Sequence, residues 1–341
     1  MDAGAEHPFL LACRRQPVAH TPVWFMRQAG RALPEYRALR GSGSILDAVR
    51  QPDLAAEITL QPVRRYGVDA AILYSDIVVP VSAIGFGVDI APGIGPVVAE
   101  PFRSEDDLSR LRPLEPEVDT PYVLETIKIL SGELAVPLIG FAGAPFTVAS
   151  YLIEGRPSRT YGLTKTMMHS RPDLWHRLVD ALADLALTSL ISQIEAGAHA
   201  IQLFDSWAGA LSAADYRTFV MPATRRIFAG LEHFGEPRIH FGVGTGELLG
   251  LMAEAGADVV GIDWRVPLDE ARRRVGDKAV QGNLDPALCL APWPVVEDGA
   301  SRVLAESAGH PGHIFNLGHG VLPETDPDTL ARLVEYVHTA P

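Results

Sequence analysis

Short apolar runs alternate along the chain with longer stretches in which apolar residues recur every three or four positions. One junction between the two patterns repeats. Gly67-Val68-Asp69-Ala70-Ala71-Ile72-Leu73-Tyr74-Ser75-Asp76, Gly197-Ala198-His199-Ala200-Ile201-Gln202-Leu203-Phe204-Asp205 and Gly256-Ala257-Asp258-Val259-Val260-Gly261-Ile262-Asp263 share a grammar: a helix ends at glycine, a strand follows, and an acid terminates it. Runs of this kind predict strands at 23–26, 70–74, 138–141, 200–204, 238–241, 259–262, 280–282 and 313–316. The stretches at 53–66, 122–134, 172–196, 213–233, 246–255, 268–275, 295–307 and 328–338 mostly have amphipathic helical spacing, several with acidic or proline starts.

Eight such units predict an α/β fold, a (β/α)8 TIM barrel filling a single domain over residues 1–341, with residues 1–20 as an N-terminal extension. A doubly wound open sheet is the competing solution, but no strand is followed by a Gly-x-Gly-x-x-Gly turn or a Walker-type loop. The turn-forming residues from Gly85 to Pro96, between the second and third strands, predict a small hairpin insert over the barrel mouth. Arg40-Gly41-Ser42-Gly43-Ser44 reads either as a loop that closes over a ligand or as an ordinary solvent loop.

In a barrel the chemistry sits just beyond the C-terminal ends of the strands. Here those positions hold Arg27 and Arg31, Ser75 and Asp76, Gly143-Ala144-Pro145 leading to Tyr151, Asp205-Ser206-Trp207, Gly242 to Thr245, Asp263-Trp264-Arg265, Asn283, and Leu317-Gly318-His319-Gly320. They contain no nucleophilic triad, phosphate loop or evident metal cluster. The run Pro22 to Arg31 looks like an anion clamp: an apolar strand ends in two guanidiniums separated by small residues, and backbone can approach a ligand closely at Gly30. The plainer reading makes Arg27 and Arg31 ordinary surface ion-pair partners. Asp205 and Asp263 read more readily as backbone caps than as catalysts, and His240, inside an apolar run, as a satisfied core histidine. Asp76 is followed by Ile77-Val78-Val79-Pro80, which does not look like an immediate helix start, so a functional role gains there. His319 lies between two glycines on a turn open to a ligand.

Composition narrows the ligand. A chain of 341 residues with 47% hydrophobic and 21% charged content buries a large core, and a formal net charge of −13 excludes general nucleic-acid or acidic-membrane binding. An acidic ligand must therefore meet locally gathered cations. Cys13 and Cys289 are the only cysteines and form no metal or redox spacing, Met1 to Glu6 lacks the basic and apolar segments of a signal peptide, and no apolar run is long enough to span a bilayer. A reducing cytoplasmic setting is expected.

Several stretches match a known family. Pro22 to Arg37, Gly140-Phe141-Ala142-Gly143-Ala144-Pro145-Phe146-Thr147, Gln202 to Gly209, Gln281-Gly282-Asn283-Leu284-Asp285-Pro286 and Asn316-Leu317-Gly318-His319-Gly320 resemble the uroporphyrinogen decarboxylase family over essentially the whole chain. Ala32 stands where that pattern has an aromatic residue and Phe146 where it often has Trp; neither change removes a charge. The resemblance implies a barrel, commonly a homodimer, that takes four carboxyl groups from the octacarboxylate tetrapyrrole uroporphyrinogen III with no metal or organic cofactor. It implies catalytic roles for Asp76, Arg27 and Arg31, and a substrate site lined by Arg27, Gln28, Ala29, Gly30, Arg31, Asp76, Tyr151, Ser206 and His319. Two rivals stand beside it. A zinc-dependent, corrinoid-linked methyltransferase needs a His-x-Cys pair where this chain has His240-Phe241-Gly242. A tetrapyrrole carrier would keep the pocket without the chemistry.

Overall fold

The computed structural model describes residues 7–41, 43–91 and 93–340. Residues 1–6 of the expected N-terminal extension, Ser42 of the glycine-serine loop, Pro92 of the insert, and Pro341 lie outside the described residues. Seven parallel strands follow the order β1 (Ala71–Ile72), β4 (Leu138–Gly143), β5 (Ala200–Asp205), β6 (Arg238–Gly242), β7 (Val259–Gly261), β8 (Ala279–Gln281) and β9 (His313–Ile314). Sequence order is spatial order, as the repeated unit requires. The register runs from Ala71↔Leu138 through Ile139↔Ala200 to Val280↔His313.

The predicted first strand is reduced to a single bridge, and it closes the barrel. Val23 pairs parallel with Phe315, Phe315 N–H donates to the Pro22 carbonyl at 2.8 Å, and on the other side Asp69 N–H donates to the Val23 carbonyl at 2.8 Å. A regular ladder does not form because side chains take its donors. Val23 N–H donates to Asp69 Oδ2 at 2.7 Å, Phe25 N–H to Gln28 Oε1 at 3.0 Å and Met26 N–H to Asn316 Oδ1 at 3.2 Å. A polar relay crosses the interior: Trp24 Nε1 donates to Gln281 Oε1 at 3.0 Å, and Gln281 Nε2 donates to Gln202 Oε1 at 2.9 Å.

The outer helices follow the expected spacing, with two differences. The stretch at 213–233 is broken into Ala213–Asp215, a π-turn at Tyr216–Val220, Met221–Leu231 and a final 3-10 turn. Pro222 has no N–H for the regular bond back to residue 218, and its ring crowds that carbonyl, so the chain widens there. Between β4 and the long helix Pro172–Ala196, helices Pro145–Glu154 and Gly162–Ser170 add a layer absent from the predicted helices.

The insert is a hairpin of β2 (Val88–Ala91) and β3 (Gly95–Val98), paired antiparallel. Val98 N–H donates to the Gly155 carbonyl at 2.9 Å, which fastens the hairpin to the helix that follows β4 and so to the mouth side. Ser44 caps helix Ile45–Val49 and donates its hydroxyl to Asp89 at 3.1 Å, so the far end of the glycine-serine loop is anchored on the hairpin.

Candidate active site

The turn after Val23 sets Arg27. Gln28 N–H donates to the Phe25 carbonyl at 3.1 Å, which places Arg27 third in a tight turn, at φ 60°. That left-handed conformation costs a non-glycine residue about 1–3 kcal/mol, and surrounding bonds hold it. Gln28 supplies them: it is buried, its Oε1 accepts from Phe25 N–H and its Nε2 donates to the Ala70 carbonyl at 3.0 Å. The Gln28 amide is thereby committed to the backbone on both sides. Gly30 is required by the same turn, since a Cβ there would stand 2.8 Å from the Arg27 carbonyl oxygen.

The loop after β9 meets this turn. Val321 N–H donates to the Met26 carbonyl at 2.9 Å, and a Cβ on Gly320 would lie 2.5 Å from Arg27 Cδ and 2.7 Å from its Cγ. On the other side a Cβ on Gly318 would lie 2.3 Å from Trp264 N. The glycines flanking His319 thus let Arg27 and Trp264 close on the turn. His319 Nδ1 accepts from Gly320 N–H at 2.7 Å, which leaves the ring proton on Nε2. Burial, with help from the Arg27 and Arg265 charges, pushes the His319 pKa down to about 4, so the ring is neutral near pH 7.

Asp76 follows the strand that starts at β1 and is half-buried. Its Oδ1 accepts from Val78 N–H at 3.0 Å, and helix Val79–Ala83 begins directly beyond, with Pro80 in the first turn where a missing N–H costs nothing. The expectation that no helix starts there is corrected: Asp76 closes a turn at a helix start, beyond the C-terminal end of its strand. Burial raises its pKa, opposed by Val78 N–H, the Arg27 charge and Ile77 N–H. Tyr151, buried on helix Pro145–Glu154, has its pKa pushed up to about 12 by burial, with Trp207, Asp76 and Arg27 as its other influences. Its ring meets Trp207 edge-on at 6.0 Å.

Arg27, Asp76, Tyr151 and His319 therefore share one electrostatic neighbourhood. Arg31 is exposed on the rim, its carbonyl held by Arg37 Nη1 at 2.6 Å, and Ala29 and Gly30 lie half-buried between the two arginines. Ser206 is half-buried beyond β5, beside Trp207, whose N–H donates to Thr147 Oγ1 at 3.2 Å. Phe141 and Phe204, half-buried on β4 and β5, meet edge-on at 5.4 Å. Each is an apolar residue in an apolar run, so the sequence does not mark its partial exposure.

The two aspartates at neighbouring strand ends differ. Asp263 accepts from Gly244 N–H at 2.5 Å and Arg265 N–H at 3.0 Å, as the capping reading expects. Asp205 is fully buried and accepts from Thr147 Oγ1 at 2.9 Å, but among the described residues no backbone N–H donates to its carboxylate, which corrects the capping reading there. His240 is buried, but neither ring nitrogen has a hydrogen-bond partner among the described residues, which corrects the expectation of a satisfied core histidine; Asp205 Oδ2 lies 3.7 Å away. A cavity of about 510 Å³ opens at the other end of the barrel, lined by Arg14, Arg238, Asp258 and Lys278 among others. It lies at the N-terminal ends of the strands, where barrels of this kind carry no chemistry.

Residues 5–340 match the family model for uroporphyrinogen decarboxylase (URO-D). The uroporphyrinogen decarboxylase of Salinispora tropica is 64% identical over 336 residues, covering 98% of this chain and 90% of that protein. That of Streptomyces griseus is 65% identical over 332 residues, covering 97% and 91%. The chain belongs to the uroporphyrinogen decarboxylase family. Among solved structures, a methyltransferase from Methanosarcina mazei superposes with a TM-score of 0.77 at 20% identity, covering 98% of each chain, which shows a shared fold. The two departures from the uroporphyrinogen decarboxylase pattern are absorbed in packing: Ala32 is buried, and Phe146 is fully buried against Trp175 at 6.0 Å and Tyr161 at 6.3 Å. Gly242, where the methyltransferase reading needs a thiolate, has no room for a side chain, since a Cβ would lie 2.5 Å from Thr245 Cγ2 and 3.0 Å from the Asp205 carbonyl oxygen.

Proposed function

We propose that this chain decarboxylates the four acetate side chains of uroporphyrinogen III, yielding coproporphyrinogen III and four molecules of carbon dioxide, with no metal or organic cofactor. The observation that carries the reading is Asp76, a half-buried carboxylate beside Arg27 at the mouth of a barrel of this family. Loss of carbon dioxide needs an electron sink. Protonation of a pyrrole ring carbon makes a cationic, iminium-like ring; the C–COO⁻ bond then breaks and its electron pair neutralises the ring as an exocyclic methylene, a second proton converts that methylene to methyl, and the first proton leaves the ring carbon to restore the pyrrole. Positive charge develops on the ring, and Asp76 accepts hydrogen bonds from the pyrrole N–H groups that carry it. At about 4 Å and an effective dielectric near 20, such a pair is worth roughly 4 kcal/mol, or about a thousandfold in rate when realised only in the transition state.

The other residues bind. Arg27 and Arg31 gather substrate carboxylates that the acidic protein as a whole repels, helped by backbone at Ala29 and Gly30. Gln28 acts through the turn it fixes. His319 donates from Nε2–H, and Tyr151 and Ser206 donate their hydroxyls, to carboxylates further in. A carrier has no use for Asp76, because a carboxylate facing an octa-anion weakens binding and gains its purpose from a cationic transition state.

Anaerobic incubation with enzymatically generated uroporphyrinogen III, followed by chromatography of the oxidised porphyrins, tests the reading. Stepwise appearance of seven-, six-, five- and four-carboxylate species supports it; binding without conversion leaves the carrier. We further propose that the chain acts as a single barrel domain in a cytoplasmic homodimer. No described helix is long and apolar enough to cross a membrane, and Ile94 at the hairpin tip is 61% exposed. Light scattering at micromolar concentration distinguishes a dimer from a monomer.

A further inference from the structure

At the end of the barrel away from the mouth, three side chains distant in sequence converge on the seam. Asp69 stands just before β1. His20 Nε2 lies 3.0 Å from its Oδ1 and His338 Nε2 lies 2.7 Å from its Oδ2. His20 precedes the closing segment at 22–26, and His338 ends the helix Pro327–Thr339. The imidazole centroids are 4.3 Å apart, with planes inclined by 52°, so both Nε2 atoms address the same carboxylate. All three donor atoms lie within 4.8 Å of one another.

We propose that His20, Asp69 and His338 form a binding site for a divalent transition-metal ion of the zinc class, separate from the active site. Two imidazoles and one carboxylate are a borderline nitrogen and oxygen donor set, which favours zinc, cobalt, nickel or copper over magnesium or calcium, whose sites are built from oxygen. Three protein ligands leave a fourth tetrahedral position for water. Bonds of about 2.0 Å set tetrahedral ligand atoms about 3.3 Å apart; each Nε2 now lies 3.0 or 2.7 Å from one carboxylate oxygen and the three ligand atoms lie within 4.8 Å of one another, so a small shift of each ring admits the ion. The rings have room to move: the His20 and His338 side chains are 27% and 26% exposed, whereas Asp69 is 9% exposed and fixed by Val23 N–H.

The carboxylate has no competing cation. Among the described residues its ion-pair partners are the two histidines alone, with neither Lys nor Arg beside it. Each ring has only to carry its proton on Nδ1, toward solvent, for the Nε2 lone pair to reach the metal. A metal bound there ties together the N-terminal segment, the entrance to β1 and the C-terminal helix.

Zinc titration of the full chain, stripped of metal by chelation, tests the site calorimetrically, and visible absorption of the cobalt-loaded protein reports the coordination. The variants are His20→Gln and His338→Gln, in which the amide still donates a hydrogen bond to Asp69 and so preserves the clamp while removing a good ligand. Uptake of one equivalent, with the absorption of four-coordinate cobalt, weakened at least about tenfold in each variant, is the expected result. Zinc should raise the melting temperature of the parent chain and leave that of the variants unchanged. No stoichiometric uptake by the folded parent, or uptake with undiminished affinity in both variants, overturns the proposal.

Discussion

At the residue scale, the role proposed for Asp76 separates rate from binding. Asp76→Asn keeps the size of the side chain and the hydrogen bond from Val78 N–H but removes the charge that meets the pyrrole cation. We expect kcat to fall by about 10²–10³ while KM changes by less than about threefold, in steady-state decarboxylation assays. The pH profile follows from the same group. Burial raises the Asp76 pKa above the ordinary 3.8, and in the proposed mechanism the ionised form is the active one. Activity therefore rises with pH through that raised value and falls below it, so kcat/KM should show an acid limb above 3.8. His319 is already neutral above about pH 4 in the free site. His319→Asn should accordingly weaken substrate binding and leave the acid limb in place.

At the scale of elements, two loops hold one arginine, and the sequence carries only part of that arrangement. The apolar runs and their glycine-to-acid junctions place β1 and β4–β9 where they stand, because parallel strands buried on both faces read as continuous apolar segments. The segment at 23–26 carries the same signal, yet side chains of Asp69, Gln28 and Asn316 replace its ladder partners. Contacts spanning as many as 290 positions leave no local trace. Pro222 was visible in the stretch at 213–233, but a π-turn is a tertiary accommodation that helical spacing does not announce. The glycines around His319 were legible as a turn; that they admit Arg27 and Trp264 was not. Gly320→Ala should push Arg27 from its place and raise KM by roughly tenfold, about 1.4 kcal/mol of binding, with a smaller effect on kcat. Gln28→Leu leaves the Phe25 N–H and the Ala70 carbonyl buried without partners, and chemical denaturation should register a loss of about 2–5 kcal/mol.

The whole molecule is a cylinder sealed at one seam, with chemistry at one rim and closure at the other. Asp69 accepts from Val23 N–H, His20 and His338 at that seam; burial pushes its carboxyl up, yet these bonds, His338 and His20 foremost, hold it below its ordinary value. A carboxyl whose folded pKa is depressed contributes stability that is complete above the unfolded value and lost as pH falls through the folded one. The thermal stabilities of the parent chain and Asp69→Asn should therefore converge as pH drops below 3.8. The acidic composition predicted that cations must be gathered locally, and the barrel gathers Arg27 and Arg31 on one turn at the mouth. What composition did not reveal is that the Arg27 charge also acts, behind burial, on Asp76, Tyr151 and His319, because those residues lie 49, 124 and 292 positions further along the chain. The account rests on that shared neighbourhood, and its most direct test is single-turnover decarboxylation of uroporphyrinogen III by the parent chain and Asp76→Asn, each saturated under anaerobic conditions. The prediction is first-order loss of the first carboxyl group in the parent, slowed by about 10²–10³ in the variant although the variant binds the substrate at least as tightly. Equal rates would contradict it.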